Sequence, residues 1–365
     1  MDKTSLASVS SAFRMTCIQE FPIPEIPEDG GLLRIEAAGI CGSDWNSFRF
    51  NTTPRIMGHE NIGRVAKLGK IAARKWGIKE GDRIALEEYL PCGECLLCRR
   101  GDFRLCQATE ISRKTGAVPL RYGSTGISVE PSLWGGYSQY MFLHPNSVIH
   151  RVDDRTPARH LTMSIPISNG IQWTLHDGQL RAGQTVLIQG PGQQGLACAL
   201  AAKMGGASLV IVSGLSRDKR RLEIAREFGA DHTIDVEVES LNDTVLELTG
   251  GSGVDLVLDV AGGPKTLLDS IDCLKKAGII VFGAWPTRVQ DFEPFKWIIK
   301  RATVKAARGH SYDAVEAAIS LIQSGSFNAD LMATHTFGLT QVELGIRSIG
   351  GEGADGAIHV SIIPD

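Results

Sequence analysis

Residues 190–195 read Gly190-Pro191-Gly192-Gln193-Gln194-Gly195, between an apolar run (Gln184 to Gln189) and a strong helix former (Leu196 to Met204). G-x-G-x-x-G in that setting constrains the fold more than any other stretch of the chain. The first glycine permits a tight turn, the second lets backbone approach a pyrophosphate, and the third lets the helix pack on the strand. The helix N-terminus adds free N–H groups and the positive end of a dipole. The same grammar then repeats. Ser208 to Ser213 is an apolar run, Leu222 to Phe228 a helix and His232 to Asp235 a short strand. Val254 to Ala261, a helix near Pro264 to Ala277, and Gly278 to Ala284 follow. Near-continuous apolar strands are expected where both faces of a parallel sheet are covered. The chain is therefore expected to carry a Rossmann domain, a doubly wound parallel sheet, over residues 166–310. Gly190, Gly192, Gln193, Gln194 and Gly195 are candidate cofactor-binding residues, with Asn169 near the domain start.

The end of the second strand discriminates between cofactors, because an acid there binds the ribose 2′-hydroxyl of NAD. This chain has Gly214 at that place, in Ser213-Gly214-Leu215-Ser216-Arg217. Ser216, Arg217 and Arg221, with Lys219 and Arg220, can receive a 2′-phosphate, and a planar guanidinium suits phosphate. NADP(H) is favoured over NAD(H), although Asp218 is within reach of a ribose and the basic run also reads as a solvated helix start.

The first part of the chain has a different texture. Leu32 to Ala37, Ile62 to Leu68 and Arg83 to Leu86 read as short strands with glycine turns and no helical period, which suggests a small β-barrel-like domain. Within it, Cys92, Cys95, Cys98 and Cys106 form C-x2-C-x2-C-x7-C, the pattern of a closed tetrahedral zinc site. Arg99, Arg100 and Arg104 offset the charge of four thiolates on the ion. An iron–sulfur run of the ferredoxin type would place Pro after its last cysteine, and here Gln107 follows Cys106. Residues 107–134 read as a long surface loop, a lid or subunit contact, and Trp134 to Tyr140 as a return to strand. A second constellation, Cys41-Gly42-Ser43-Asp44 with Gly58-His59-Glu60, joins a thiol, an imidazole, a hydroxyl and two carboxylates. Thiolate plus imidazole is what zinc selects. Asp44 can orient His59, and Ser43 can pass a proton. Alone, the same residues also read as a buried cysteine near a core histidine.

Eight cysteines with four clustered point to metal rather than disulfides, and so to the cytoplasm. A net charge of −3 argues against a nucleic-acid-binding face or a polybasic membrane patch. The first fifteen residues lack the apolar run of a signal peptide, and no stretch of about 18 apolar residues is present, so no membrane span is expected.

Taken in this order, the motifs resemble the zinc-containing medium-chain dehydrogenases, the alcohol, sorbitol and threonine dehydrogenase group. The likeness runs from Cys41-Gly42-Ser43-Asp44 through Gly58-His59-Glu60 with Gly63, the cysteine lobe and the 190–195 loop to Asp355-Gly356. It implies an α/β protein with a GroES-like β-barrel catalytic domain (1–165 and 311–365, zinc lobe 92–106) interrupted by the Rossmann domain. It implies reversible hydride transfer between a small alcohol or carbonyl and NAD(P)(H), in a homodimer or homotetramer. Cys41 and His59 would hold catalytic zinc, Glu60 would lie beside it as a ligand, Ser43 would take the substrate proton, and Asp44 would brace His59. Two positions depart from the pattern. Ile165 stands where the family places a third Cys, Glu or Asp ligand, and Asn46 where many members place a relay histidine. A zinc-independent NADPH reductase of the same fold and a non-catalytic nucleotide sensor are the alternatives. Trp45, Phe48, Phe50, Trp134 and Phe142 read as core or as the lining of an apolar pocket.

Overall fold

A computed structural model describes residues 3–11, 14–50, 52–109, 120–284 and 291–364. The chain divides into two compact units, one of residues 1–165 with 319–365 and one of residues 166–318. Strands are numbered along the chain. β1 (Thr4–Ser11), β2 (Met15–Pro22), β3 (Gly31–Gly39), β4 (Arg55–Ile56), β5 (Glu60–Leu68), β6 (Arg83–Leu86), β7 (Tyr140–Leu143) and β8 (Ile149–Arg151) precede the break. The middle unit holds β9 (Thr185–Gln189), β10 (Leu209–Gly214), β11 (His232–Asp235), β12 (Val254–Asp259), β13 (Leu274–Phe282) and β14 (Thr303–Ala306). β15 (Ala333–Phe337) and β16 (His359–Ile362) belong to the first unit again.

In the first unit β15-β16-β3-β5-β6-β8 hydrogen-bond side by side, with β7 also on β3, and β2-β1-β4 form a smaller sheet. Pairing is antiparallel except between β15 and β16. A sheet wrapped in this way has one inward face. Leu33, Ile35, Ile56, Met57, Ile84, Trp134 and Val360 meet there in one buried cluster. Phe48, Trp134 and Phe142 belong to that core, whereas Phe50 is exposed, so these aromatics do not act together as a pocket wall. The alternating pattern concealed helices, among them Gly42–Phe50, packed through Phe48, and Lys70–Trp76.

The second unit orders its strands β11-β10-β9-β12-β13-β14, all parallel. In chain order that is 3-2-1-4-5-6, the doubly wound arrangement whose switch point lies between the first and fourth strands. Val186, Leu187, Ile188, Val210, Ile211 and Val212 are all fully buried, as strands covered on both faces must be. Sequence reading stopped at five strands. β14 was missed because Thr303-Val304-Lys305-Ala306 lies at a half-exposed sheet edge and lacks the apolar run. The expected helix over 264–277 is shorter, Thr266–Cys273, and β13 begins directly after it. The expected strand over 134–140 begins only at Tyr140. Part of the expected 107–134 surface loop (110–119) lies outside the described residues, and the rest is not all surface: Tyr122, Leu133 and Trp134 are buried in the core cluster.

The turn between β9 and its helix depends on close backbone approach. Gly190 has φ +99°, and a Cβ on Gly195 would stand 1.8 Å from the Gly190 carbonyl oxygen. A Gly195→Ala variant is therefore expected to lose roughly 1–3 kcal/mol of stability through overpacking, measured by denaturant unfolding, and to bind nucleotide more weakly.

Candidate metal and nucleotide sites

Cys41 ends the loop after β3, and the helix Gly42–Phe50 starts immediately behind it. Asp44, in the first turn, organises the group. Its Oδ2 accepts the Cys41 backbone N–H at 2.9 Å and the Tyr137 hydroxyl at 2.9 Å. Its Oδ1 lies 3.4 Å from His59 Nδ1. Glu60 opens β5, so His59 and Glu60 point from the last loop residue and the first strand residue. Ligand atoms of Cys41, His59 and Glu60 all lie within 4.8 Å of one another.

Glu60 is the telling member. It is 1% exposed, and neither carboxylate oxygen has a hydrogen-bond partner of normal geometry. A buried carboxylate left in that state costs several kcal/mol or more unless a cation meets it. Burial pushes its pKa up to about 8, against the pull of His59 and with the help of Asp44 and Glu88. Burial likewise raises the Cys41 thiol, opposed by its hydrogen bond with His59. Burial disfavours charge on His59, but Asp44 and Glu88 outweigh it and hold its pKa well above the ordinary value. Thiolate, imidazole and carboxylate converging in a buried spot form a donor set that fits zinc. Ile165 is buried in the helix Ser164–Ile171 and has no donor atom to add. Ser43, half-buried, stands one residue before Asp44. Asn46 accepts a hydrogen bond from Arg49 Nη2 at 2.7 Å.

The four-cysteine lobe is the second metal candidate. Its sulfurs are separated by 4.0 Å (Cys92–Cys98), 3.5 Å (Cys95–Cys98), 4.0 Å (Cys95–Cys106) and 3.6 Å (Cys92–Cys106). Four sulfurs at about 2.3 Å from a tetrahedral zinc stand roughly 3.8 Å apart, so the lobe already has the ion's dimensions. No two of these cysteines are bonded to each other. Backbone N–H groups of Cys95 and Glu94 pull the Cys92 thiol down to about 6, which favours the thiolate a metal needs.

In the second unit a cleft of about 830 Å³ opens where β9, β10 and β12 end. Gly190, Gly192, Gly214, Arg217, Asp218 and Arg221 line it. Gln193 begins the helix behind Gly192, Gln194 follows with its Oε1 unpartnered, and Gly195 packs on Gly190. Asp218 is committed locally: it accepts the Leu215 N–H at 3.1 Å and pairs with Arg221 at 3.3 Å. The Ser216 hydroxyl donates to Asp235 at 2.6 Å, and Asn169 is buried against His310 at 3.0 Å, so neither is among the residues lining the cleft.

Sequence reading missed three groups at the first site. Tyr137 fixes Asp44 from the segment before β7. His359 places Nδ1 3.9 Å from Glu60 Oε2. Arg121 grips Glu88 side-on, with Nη2–Oε1 at 2.5 Å and Nε–Oε2 at 3.0 Å, and stacks over Tyr89. All three act across long sequence separations and leave no local motif.

Residues 28–154 match the alcohol dehydrogenase GroES-like domain, and residues 195–324 match the zinc-binding dehydrogenase domain. An alcohol dehydrogenase from Mycobacterium tuberculosis, itself named as probable, is 34% identical over 331 residues, covering 88% of each chain. The crystal structure of an alcohol dehydrogenase from Thermotoga maritima superposes with a TM-score of 0.84 at 28% identity, over 99% of this chain and 100% of that one. A zinc-binding dehydrogenase from Sinorhizobium meliloti, so named provisionally and solved with NADP, has a TM-score of 0.82 at 26% identity and full coverage of both chains. This chain belongs to the zinc-type medium-chain dehydrogenase family. It is thus an oxidoreductase of the nicotinamide-linked class, with a GroES-like domain and a Rossmann domain. Among the described residues, no helix is long and apolar enough to cross a membrane.

Metal uptake at Cys41, His59 and Glu60 should depend on pH with a definite sign. Cys41 and Glu60 both have raised pKa values, so binding must displace protons from them. Zinc affinity is expected to rise with pH between 5 and about 8, with proton release detectable in weakly buffered indicator solution. Glu60→Gln should reduce both the slope and the number of protons released.

Proposed function

We propose that this chain is a zinc-dependent alcohol dehydrogenase or carbonyl reductase, in which Cys41, His59 and Glu60 are the three protein ligands of a catalytic zinc and Cys92, Cys95, Cys98 and Cys106 hold a structural zinc. The observation that carries this reading is the buried Glu60 carboxylate, unpartnered at both oxygens beside a thiol and an imidazole. Three protein ligands with one open position is the usual catalytic arrangement. When bound, the ion would supply Lewis acidity, drawing an alcohol's pKa from near 16 towards about 7. The chain's own groups do the rest. Ser43 takes the substrate hydroxyl proton. Asp44 fixes the His59 ring and the Cys41 loop. Asn46 cannot relay a proton by titrating, so the proton leaves Ser43 through water or the cofactor ribose.

The cofactor is NADP(H). Support comes from the missing acid at Gly214, from the commitment of Asp218 to its own turn, and from Arg217 and Arg221 at the cleft. The substrates are small alcohols and the corresponding ketones or aldehydes. The chain works as a homo-oligomer in the cytoplasm. β14 is an edge strand whose Val304 is 42% exposed, and Phe295, Ile298 and Ile299 in the helix Pro294–Lys300 before it are exposed by 70%, 73% and 53%. An apolar, unpaired edge invites pairing with a second copy.

Zinc per chain by mass spectrometry tests the metal assignment. About two zincs are expected, falling to about one in Cys41→Ala with loss of turnover on a panel of secondary alcohols and ketones. One zinc in both proteins, with turnover retained, would instead favour the metal-independent reductase. Arg217→Ala with Arg221→Ala should raise the KM for NADPH by roughly 10-fold or more while leaving that for NADH little changed, since each lost charge-assisted contact is worth about 1.5–3 kcal/mol. Val304→Lys with Ile298→Asp should shift the protein towards monomer in light scattering at unchanged zinc content.

A further inference from the structure

Gly39 ends β3 opposite Glu60 on β5 and opposite Ser361 on β16. A Cβ on Gly39 would stand 2.3 Å from Glu60 Oε2 and 2.9 Å from His359 Cε1. The carboxylate therefore occupies the volume that the absent side chain leaves, with the His359 ring forming the far wall. That ring is fixed. The Thr162 hydroxyl lies 2.8 Å from the Arg159 carbonyl, to which it can donate, and 2.9 Å from His359 Nε2. The tautomer with its hydrogen on Nε2 lets both bonds form at once, and in that tautomer the acceptor face of Nδ1 is turned to Glu60 Oε2 at 3.9 Å. Ser361 Oγ lies 3.0 Å from the same Thr162 oxygen and closes the arrangement.

We propose that Gly39 and His359, the latter pinned by Thr162, form a seat that positions Glu60 as a metal ligand. The inference rests on the reading of Glu60 as the third ligand and adds the device that makes it one. An imidazole acceptor cannot retain a carboxylate, whereas an ammonium at the same place would. With the glycine behind it and the acceptor nitrogen beside it, the carboxylate finds its strongest attraction at the ion held by Cys41 and His59. His359 acts through Glu60 and is a positioning residue. The seat matters in this chain because Ile165 contributes no ligand.

The test uses the intact chain. Zinc affinity of the Cys41 site is read by competition with a chromophoric chelator, and its ligand field by the visible spectrum after Co2+ substitution. Retention of one zinc per chain by the four-cysteine lobe reports that each variant is folded. His359→Lys should weaken the site by roughly 10–100-fold and shift the Co2+ bands, the usual size of an effect from a residue behind a ligand. Thr162→Val, which only releases the ring, should weaken it in the same direction by several-fold. Glu60→Gln serves as the reference. If Glu60→Gln weakens binding while His359→Lys and Thr162→Val leave affinity and spectrum unchanged, the seat is overturned and Glu60 ligation stands. If Glu60→Gln itself changes nothing, the third-ligand reading fails and the seat falls with it. Should His359→Lys lose the lobe's zinc through misfolding, Thr162→Val decides alone: wild-type affinity overturns the proposal, and a several-fold loss supports it.

Discussion

A buried carboxylate with no hydrogen bond of normal geometry is the constraint on which the first unit turns. Glu60 is a member of β5, paired on one side with β3 and the sheet behind it, so it cannot escape to solvent without breaking the ladder. Asp44 is buried within the same group, although Tyr137 and the Cys41 N–H satisfy it. Glu88 adds a third carboxylate, neutralised by Arg121. Acids are thus held in place by covalent geometry and by strand pairing. Asp44 and Glu88 have hydrogen-bonded partners, whereas Glu60 has only the charge of His59 and a weak contact with Cys41 to offset its burial. In a low-dielectric interior the like charges can coexist only if protons or a divalent cation enter. The cation is the alternative that also explains why a thiol and an imidazole converge on the same point.

The two candidate metal centres differ in what holds them. The cysteine lobe is short-range: four sulfurs within fifteen residues, fixed by backbone N–H groups directed at sulfur. The Cys41 group is long-range, drawing on the loop after β3, the start of β5, Tyr137 and β16. The two are nevertheless connected. Phe103 of the lobe meets the Tyr89 ring edge-on at 6.2 Å, and Tyr89 lies beneath the Arg121 guanidinium at 4.7 Å. Arg121 holds Glu88, whose charge acts on both His59 and Glu60. Disordering the lobe would therefore loosen a support of the Cys41 group as well as a surface loop.

What the sequence disclosed follows this same division between near and far. The glycine turn at 190–195 and the cysteines at 92–106 could be read because each motif completes its chemistry within one turn or one loop. The parallel sheet could be read because strands covered on both faces are apolar along their length. β14 could not, because an edge strand needs only half of that pattern. The helix at 42–50 was hidden because WNSFRF has no helical apolar period, and a local device, Asp44 receiving the Cys41 N–H, starts it. Tyr137 and His359 lie 93 and 299 residues from the partners they serve, and nothing in their own neighbourhoods marks them.

Ile165 brings these strands together. Where an acid or thiol is absent from that position, the remaining donors must be fixed more tightly, since a two-ligand site would leave zinc short of its usual three protein ligands. Glu60 can serve only if it is denied other partners. The chain meets that condition by subtraction. Gly39 supplies no side chain, burial keeps His359 from presenting a cation, and neither Glu60 oxygen has a hydrogen-bond donor of normal geometry. An apolar residue at 165 and an unsatisfied carboxylate at 60 are in this view one feature: the first removes a ligand, and the second keeps a replacement available.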